Sequence, residues 1–273
     1  MLLLSLVLAA HALAGLAPAQ ASAAFVPTPS PGAGARASIH EPFTALLRDN
    51  VRNDLVDYDA FAKSQEFQQY LSSLESARLE PMSKDERLAF WLNVYNAYTI
   101  QLVNQHKERE SIRNINMFLG VLKGKRPWKE EIVRAAGRLL SLDDVLNRII
   151  RVEFREPRVH MALVEAAISS PPLRGEAYEG SKLDQQLDDQ TRTFLRERQT
   201  ANRLDLGNSI IHLSPIFDLN RVDFGKTDAA ILRFVAPYFD GRGEKAAFAA
   251  SRLTIEFTDF DWSLNIQKPR ETQ

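Results

Sequence analysis

The chain has 273 residues, 34 of them basic and 35 acidic, for a formal net charge of −1. That balance sets up no broad field for nucleic acid or an anionic lipid surface, so no nucleic-acid partner is expected. With 45% hydrophobic and 25% charged residues the composition is that of a soluble globular protein, and the lack of cysteine excludes disulfides, thiolate metal sites and thiol catalysis.

The first segment reads MLLLSLVLAAHALAGLAPAQASAAF. Residues 2–13 form an apolar run of signal-peptide length, and Ala21-Ser22-Ala23 is a small-residue cleavage pattern. Residues 1–23 are expected to be a signal peptide, with a mature start at Ala24 in an exported, periplasmic protein. No Lys or Arg precedes the run, and the first basic residue is Arg36. An uncleaved anchor is the competing reading, disfavoured by the short run and by Pro18 at its end. Without a Cys after the run a lipoprotein anchor is chemically impossible, and no later segment is apolar enough to span a bilayer after cleavage. About 250 mature residues bury enough surface to fold without disulfide staples.

Residues 24–38, with three prolines and two glycines, read as a flexible linker, and residues 39–268 as one globular domain. Phe43, Leu46, Leu47 and Val51 share one helical face, as do Phe67, Tyr70, Leu71 and Leu74. Ser83 and Glu86 have the spacing of a capping box. The Pro- and Gly-free run 87–105 after it, apolar nearly all round, predicts a long buried helix. Residues 131–141 read as a short hairpin about Ala135-Ala136-Gly137. Ser141 with Asp144 resembles a helix start, Asp143 and Asp144 competing for the capping role. Ser181 opens another helix with Leu183, Leu187, Phe194 and Leu195 to one side. Residues 209–213 form a strand, Thr227 caps a helix ending at Pro237, and Leu253, Ile255 and Phe257 alternate as a half-buried strand. Helices and strands mix without a regular βα alternation, which predicts a helix-rich α+β domain with a small antiparallel sheet.

The chain carries no phosphate-binding Gly-rich loop, no G-x-S-x-G elbow and no HExxH. The five histidines, His11, His40, His106, His160 and His212, lack helical metal spacing, so neither metal nor cofactor is expected. Asn93 and Asn96 lie on one face of the long helix, among Trp91, Tyr95 and Tyr98. Buried amides need partners; the functional reading has them line a pocket or orient a catalytic group. The more ordinary reading, favoured here, ties neighbouring loops to the helix. The three aromatics are more often core than a ligand platform. In the segment His160 to Arg174, Pro171 biases Ser170 toward an extended backbone, which suits a hydroxyl shown to a cleft or, more commonly, a turn serine. Asp261 beside Trp262 suits a catalytic base or, more readily, a structural lock.

These stretches resemble the family catalogued as domain of unknown function 547. The matching pieces are FWLNVYNAYTI (90–100), RPWKEE (126–131), SLDDVLNRII (141–150), HMALVEAAISSPPLRGEAY (160–178), LSPIF (213–217) and DWSLN (261–265). The resemblance implies a Cys just before the paired prolines and a His ten residues earlier. That pattern suggests a thiol nucleophile and its base, and a papain-like or transglutaminase-like fold. In this chain the Cys position holds Ser170, a second frequent Cys position holds Glu165, and the His is kept as His160. A thiol of pKa about 8.5 is partly ionised at neutral pH and a serine hydroxyl is not, so Ser170 needs a placed base and an oxyanion hole. One straight helix would separate His160 from Ser170 by ~15 Å, and one strand by ~33 Å. Contact therefore demands a chain reversal, or His212 as a reserve base.

Two readings of function follow. The favoured one is a non-catalytic module binding a small molecule or peptide, with Trp91, Asn96, Arg174 and Tyr178 as ligand contacts beside Ser170. The alternative is a hydrolase or acyl-transfer enzyme with Ser170 as nucleophile, His160 as base and Asn93 orienting the base or an oxyanion. A metal hydrolase built from scattered His and Asp comes last, for want of ligand spacing.

Overall fold

The structure, a computed structural model, describes residues 38–118, 121–122 and 126–267. The N-terminal apolar run, its cleavage pattern and the linker up to Ala37 lie outside the described residues. Among those residues, helix α1 (Glu41–Asn50) comes first. It is followed by a ribbon of β1 (Val51–Arg52) and β2 (Leu55–Val56), then α2 (Tyr58–Lys63) and α3 (Gln65–Glu75). Asp57 and Ser64 accept the Ala60 and Phe67 amides and so start α2 and α3. Phe43, Leu47, Phe67, Tyr70, Leu71 and Leu74 all turn inward, the Phe43 and Tyr70 rings stacking at 4.8 Å. Val51 leaves the helix for the ribbon.

The scaffold of the domain is α4 (Lys84–Gln105). Its capping box is complete: Ser83 Oγ accepts the Glu86 amide, and the Glu86 carboxylate accepts the Ser83 amide at 2.7 Å. Every residue from Leu88 to Ile100 is buried, as an all-round apolar helix requires. The ribbon β3 (Met117–Phe118) with β4 (Val121–Leu122) precedes the hairpin of β5 (Val133–Ala135) and β6 (Arg138–Leu140). Ala136 and Gly137 connect that hairpin at φ 49° and 70°, the two positive values a tight two-residue turn needs.

Ser141 caps α5 (Leu142–Asp144), with Asp144 as its return partner. The helix continues through a π turn, Val145–Ile150, into α6 (Arg151–Glu153), and the short α7 (Val159–Ala162) follows. A 3₁₀ turn, Gly180–Lys182, leads into α8 (Leu183–Glu197), so Ser181 lies within that turn and does not cap the helix. Gly180 crosses the start of α4 so closely that a Cβ there would stand 2.8 Å from the Glu86 backbone.

The last part holds β7 (Arg203–Asp205), β8 (Ile210–Leu213), α9 (Ile216–Leu219), α10 (Asp228–Val235), α11 (Arg242–Ala249) and β9 (Thr254–Phe257). Thr227 caps α10, which gives way to a 3₁₀ turn at Ala236. β7 pairs antiparallel with β8, but β9 runs parallel to it, with Ile211 opposite Ile255. Parallel pairing needs a long crossover, which α9 to α11 provide. Strand β9 is less covered than its alternation suggests: Phe257 is exposed, under the Arg221 guanidinium.

The chain from Ala37 onward is one compact unit. The fold is helix-rich α+β, as the sequence predicts, its small sheets antiparallel apart from the β8–β9 pair. Two apolar clusters fill it, one around α4 and one between α8, β8, α9 and α10. Helix α7 lies between them, giving Val159 and Ala162 to the first and Met161 to the second. Among the described residues no helix is long and apolar enough to cross a membrane.

Candidate functional site

The segment after α7 is shaped from both sides. Leu163 turns extended, with ψ 130°, and ends the helix. Asn96 on α4 brackets the exit: its Nδ2 donates to the Ala162 carbonyl at 2.9 Å and its Oδ1 accepts the Val164 amide at 3.0 Å. Ala166, at φ 54°, bends the chain. Ala167 then bridges Leu264, and the Ile168 and Ser169 amides donate to the Ser263 and Asp261 carbonyls. Ser169 Oγ accepts the Asp261 amide in return, while the Asp261 carboxylate accepts from the Ser263 amide. Asp261 thus fastens the C-terminal segment onto residues 167–169.

Ser170 follows this bend at 1% exposure, its Oγ accepting the Glu165 amide at 3.0 Å. His160, on α7, is also buried, and its Nε2 lies 2.7 Å from Asp223 Oδ2. Arg151 Nε reaches the same carboxylate oxygen at 2.8 Å. Burial holds the imidazole pKa below its ordinary value, against the upward pull of Asp223. The chain does reverse between His160 and Ser170, yet the hydroxyl engages an amide and the imidazole a carboxylate. His212, the reserve base, lies 3.5 Å from Glu256.

Asn93 is bonded to main chain on both sides. Its Nδ2 donates to the Tyr178 carbonyl at 2.8 Å, and its Oδ1 accepts the Tyr178 amide at 2.9 Å. The Tyr178 hydroxyl is buried with no partner among the described residues, and burial drives its pKa up. Arg174 turns to α8, 2.6 Å from Asp189, and also holds Glu176 at 3.0 Å. Trp91 is 1% exposed and packs edge-on against Phe90 at 5.1 Å. Of the candidates, Asn93 and Tyr178 meet directly, Asn96 fixes the loop leading to Ser170, and His160 and Trp91 lie elsewhere.

Two clefts flank the helical run of α5, its π turn and α6. One, of about 300 Å³, lies beside His160 and is walled by Arg151, Arg155, Glu156 and Asp223. The other, of about 270 Å³, lies at the start of that run. Tyr95 comes to it from α4, Leu142 and Asp143 from α5, and Leu146 from the π turn. Glu165 comes from the loop after α7, Arg126, Trp128 and Lys129 from the turn before β5, and Trp262 from the C-terminal segment. The two indoles meet edge-on, 5.8 Å between centroids, and Arg113 stacks on Trp262 at 5.3 Å. Burial pushes the Glu165 carboxyl up to about 7, and the side chain has no hydrogen-bond or ion-pair partner among the described residues. Burial also raises the Tyr95 phenol, with the Glu165 and Asp143 carboxylates adding to it. Among the described residues no group of three His, Asp or Glu side chains is arranged for a metal ion.

Fold and site together define a helix-rich α+β domain with an aromatic-walled cleft next to the loop that carries Ser170. Residues 79–195 match the model of a family described as Protein of unknown function, DUF547. No curated protein and no solved structure matches the chain. The papain-like or transglutaminase-like relation rests on the sequence resemblance alone.

The cleft residues were not among the site candidates read from sequence. Trp128 and Trp262 stand in stretches that carry the family resemblance, RPWKEE and DWSLN, and Glu165 occupies a frequent Cys position of the family. Those were the available signals. Nothing in the spacing announces that the two indoles touch.

Proposed function

We propose that the chain is a ligand-binding module whose pocket is the Tyr95–Trp128–Glu165–Trp262 cleft, rather than a serine hydrolase. The observation that carries this reading is the contrast between positions 165 and 170. The Ser170 hydroxyl is buried beneath the Glu165 amide, while the Glu165 carboxyl lies uncommitted in an aromatic cleft. Clefts of this kind, apolar walls with a few polar groups, are ordinary small-molecule sites. The hydrolase alternative draws on the 2.7 Å His160–Asp223 contact, which has the form of a base oriented by a carboxylate. Among the described residues no nucleophile is bonded to that base.

Two of the three tryptophans line the cleft, so indole fluorescence reports binding directly. A panel of amino acids, short peptides, mono- and disaccharides and organic ammonium compounds is titrated while the melting midpoint is followed. At least one compound raises the midpoint with concentration, as binding to the folded state demands. Trp262→Ala abolishes that response and Ser170→Ala keeps it. A panel without any response, or hydrolase activity lost in a folded Ser170→Ala variant, overturns the reading.

Export belongs to the same proposal, supported by the apolar run and Ala21-Ser22-Ala23. N-terminal sequencing of the protein from a periplasmic extract should begin at Ala24. A full-length chain held in the membrane fraction would refute cleavage.

A further inference from the structure

We infer that this cleft takes a small zwitterion, a free amino acid or very short peptide, with its ammonium at the Tyr95–Asp143–Glu165 end and its carboxylate at Arg126 and Lys129. The inference rests on the cleft being a ligand site and names what fills it.

The lining carries both signs of charge on separate elements. Asp143 and Glu165 come from α5 and the loop after α7, and Arg126 and Lys129 from the turn before β5. Among the described residues neither cation forms an ion pair with either acid. Opposite charges that share a cleft without joining suit a ligand carrying both. A simple cation would meet Arg126 and Lys129, and a simple anion would meet Asp143 and Glu165.

The two ends differ in surroundings. Burial alone raises the Glu165 carboxyl, with no cation offsetting it. An ammonium is the missing partner. Trp128 also keeps a buried indole N–H without a partner among the described residues, a donor that suits a ligand carboxylate. Leu142 and Leu146 offer an apolar wall to a side chain. At about 270 Å³ the space falls just below the roughly 300–1,000 Å³ of drug-sized pockets, which fits a ligand of amino-acid size.

Ammonium binding requires Glu165 as carboxylate. The groups facing it are Tyr95 from α4, Asp143 from α5, and Arg126 and Lys129 from the turn; Trp262 brings no charge of its own, and Arg113 stacks on its ring. With the Glu165 carboxyl near 7, affinity rises about tenfold from pH 6 to pH 8.

The test is calorimetric titration of the mature chain with each of the twenty common L-amino acids and with L-leucyl-L-leucine. The tightest binder is then compared with its N-acetyl form, which lacks the ammonium, and its amide, which lacks the carboxylate. Either modification should weaken binding at least tenfold. Glu165→Gln should weaken the zwitterion and flatten the pH dependence. The double variant Arg126→Ala, Lys129→Ala should weaken the zwitterion and leave the amide unchanged. Preference between the single amino acids and the dipeptide tells which source fills the cleft. If the capped forms bind as tightly as the parent, or none of these zwitterions binds while another compound quenches the indoles, the zwitterion is wrong and the pocket stands. If nothing in either panel binds, both fall. The ligand-side modifications use the unaltered protein, so a variant that fails to fold leaves the test intact.

Discussion

At Ser170 one hydrogen bond decides what the residue does. Its Oγ is the acceptor for the buried approach of the Glu165 amide, so Ser170→Ala leaves an amide without a partner. Orphaning such a group costs about 1–2 kcal/mol. A urea midpoint lowered to that extent, with cleft binding intact, is the expected outcome, and an unchanged midpoint would show that the bond contributes nothing. Ser170 and His160 were readable from sequence as special, because a pre-proline serine and a histidine in an apolar stretch are unusual. Their partners were not readable. Asp223 lies far along the chain from His160, and only the packing of α7 between the two clusters brings it close.

The elements divide by how local their signals are. Ser83, Ser141 and Thr227 were legible as caps because a cap bonds to an amide three residues on. The hairpin was legible from its small-residue turn. The parallel β9 was not, since strand direction depends on the crossover and not on alternation within the strand. Nor was the π turn that carries Leu146 into the cleft. On α4 the helical spacing of Asn93 and Asn96 announced a shared face, and the structure supplies two separate backbone clamps. Asn96→Ala strips partners from both the Ala162 carbonyl and the Val164 amide, a loss of roughly 2–4 kcal/mol. Because that clamp sets the start of the loop bearing Glu165, ligand affinity should fall with stability. Hydrogen exchange would show Val164 losing protection first; uniform loss across the domain would deny the clamp a local role. Gly180→Ala should also destabilise, since its Cβ would meet Glu86 backbone, which cannot move without disturbing the capping box. A thermal midpoint equal to that of the unaltered chain would show that the crossing can relax.

Across the whole molecule two buried histidines and the cleft residue Glu165 set opposing pH dependences. His40, 5% exposed and bonded to the Tyr70 hydroxyl at 2.8 Å, has its pKa pushed down to about 4 by burial. The unfolded chain therefore binds this proton more readily below pH 6.5, and stability falls as pH drops from 6.5 toward 4. The full drop is about 3 kcal/mol. His160, also lowered, acts with the same sign. Glu165 acts the other way: with its carboxyl raised from 4.5 to about 7, the folded chain holds the proton more tightly, and stability falls as pH rises through that window. Between pH 4.5 and 6.5 the effects oppose each other, so the stability curve of the unaltered chain should be flattened there and steepen below. Glu165→Gln removes one side of the balance. The variant should be more stable than the parent at pH 8, match it near pH 4, and lose stability steadily from pH 6.5 downward. Urea midpoints measured from pH 4 to pH 8 decide the matter: parallel curves for parent and variant would mean that Glu165 does not titrate near neutrality. The same experiment repeated with excess ligand should narrow the difference at pH 6, because the parent binds the ligand more tightly than Glu165→Gln and is stabilised more by it.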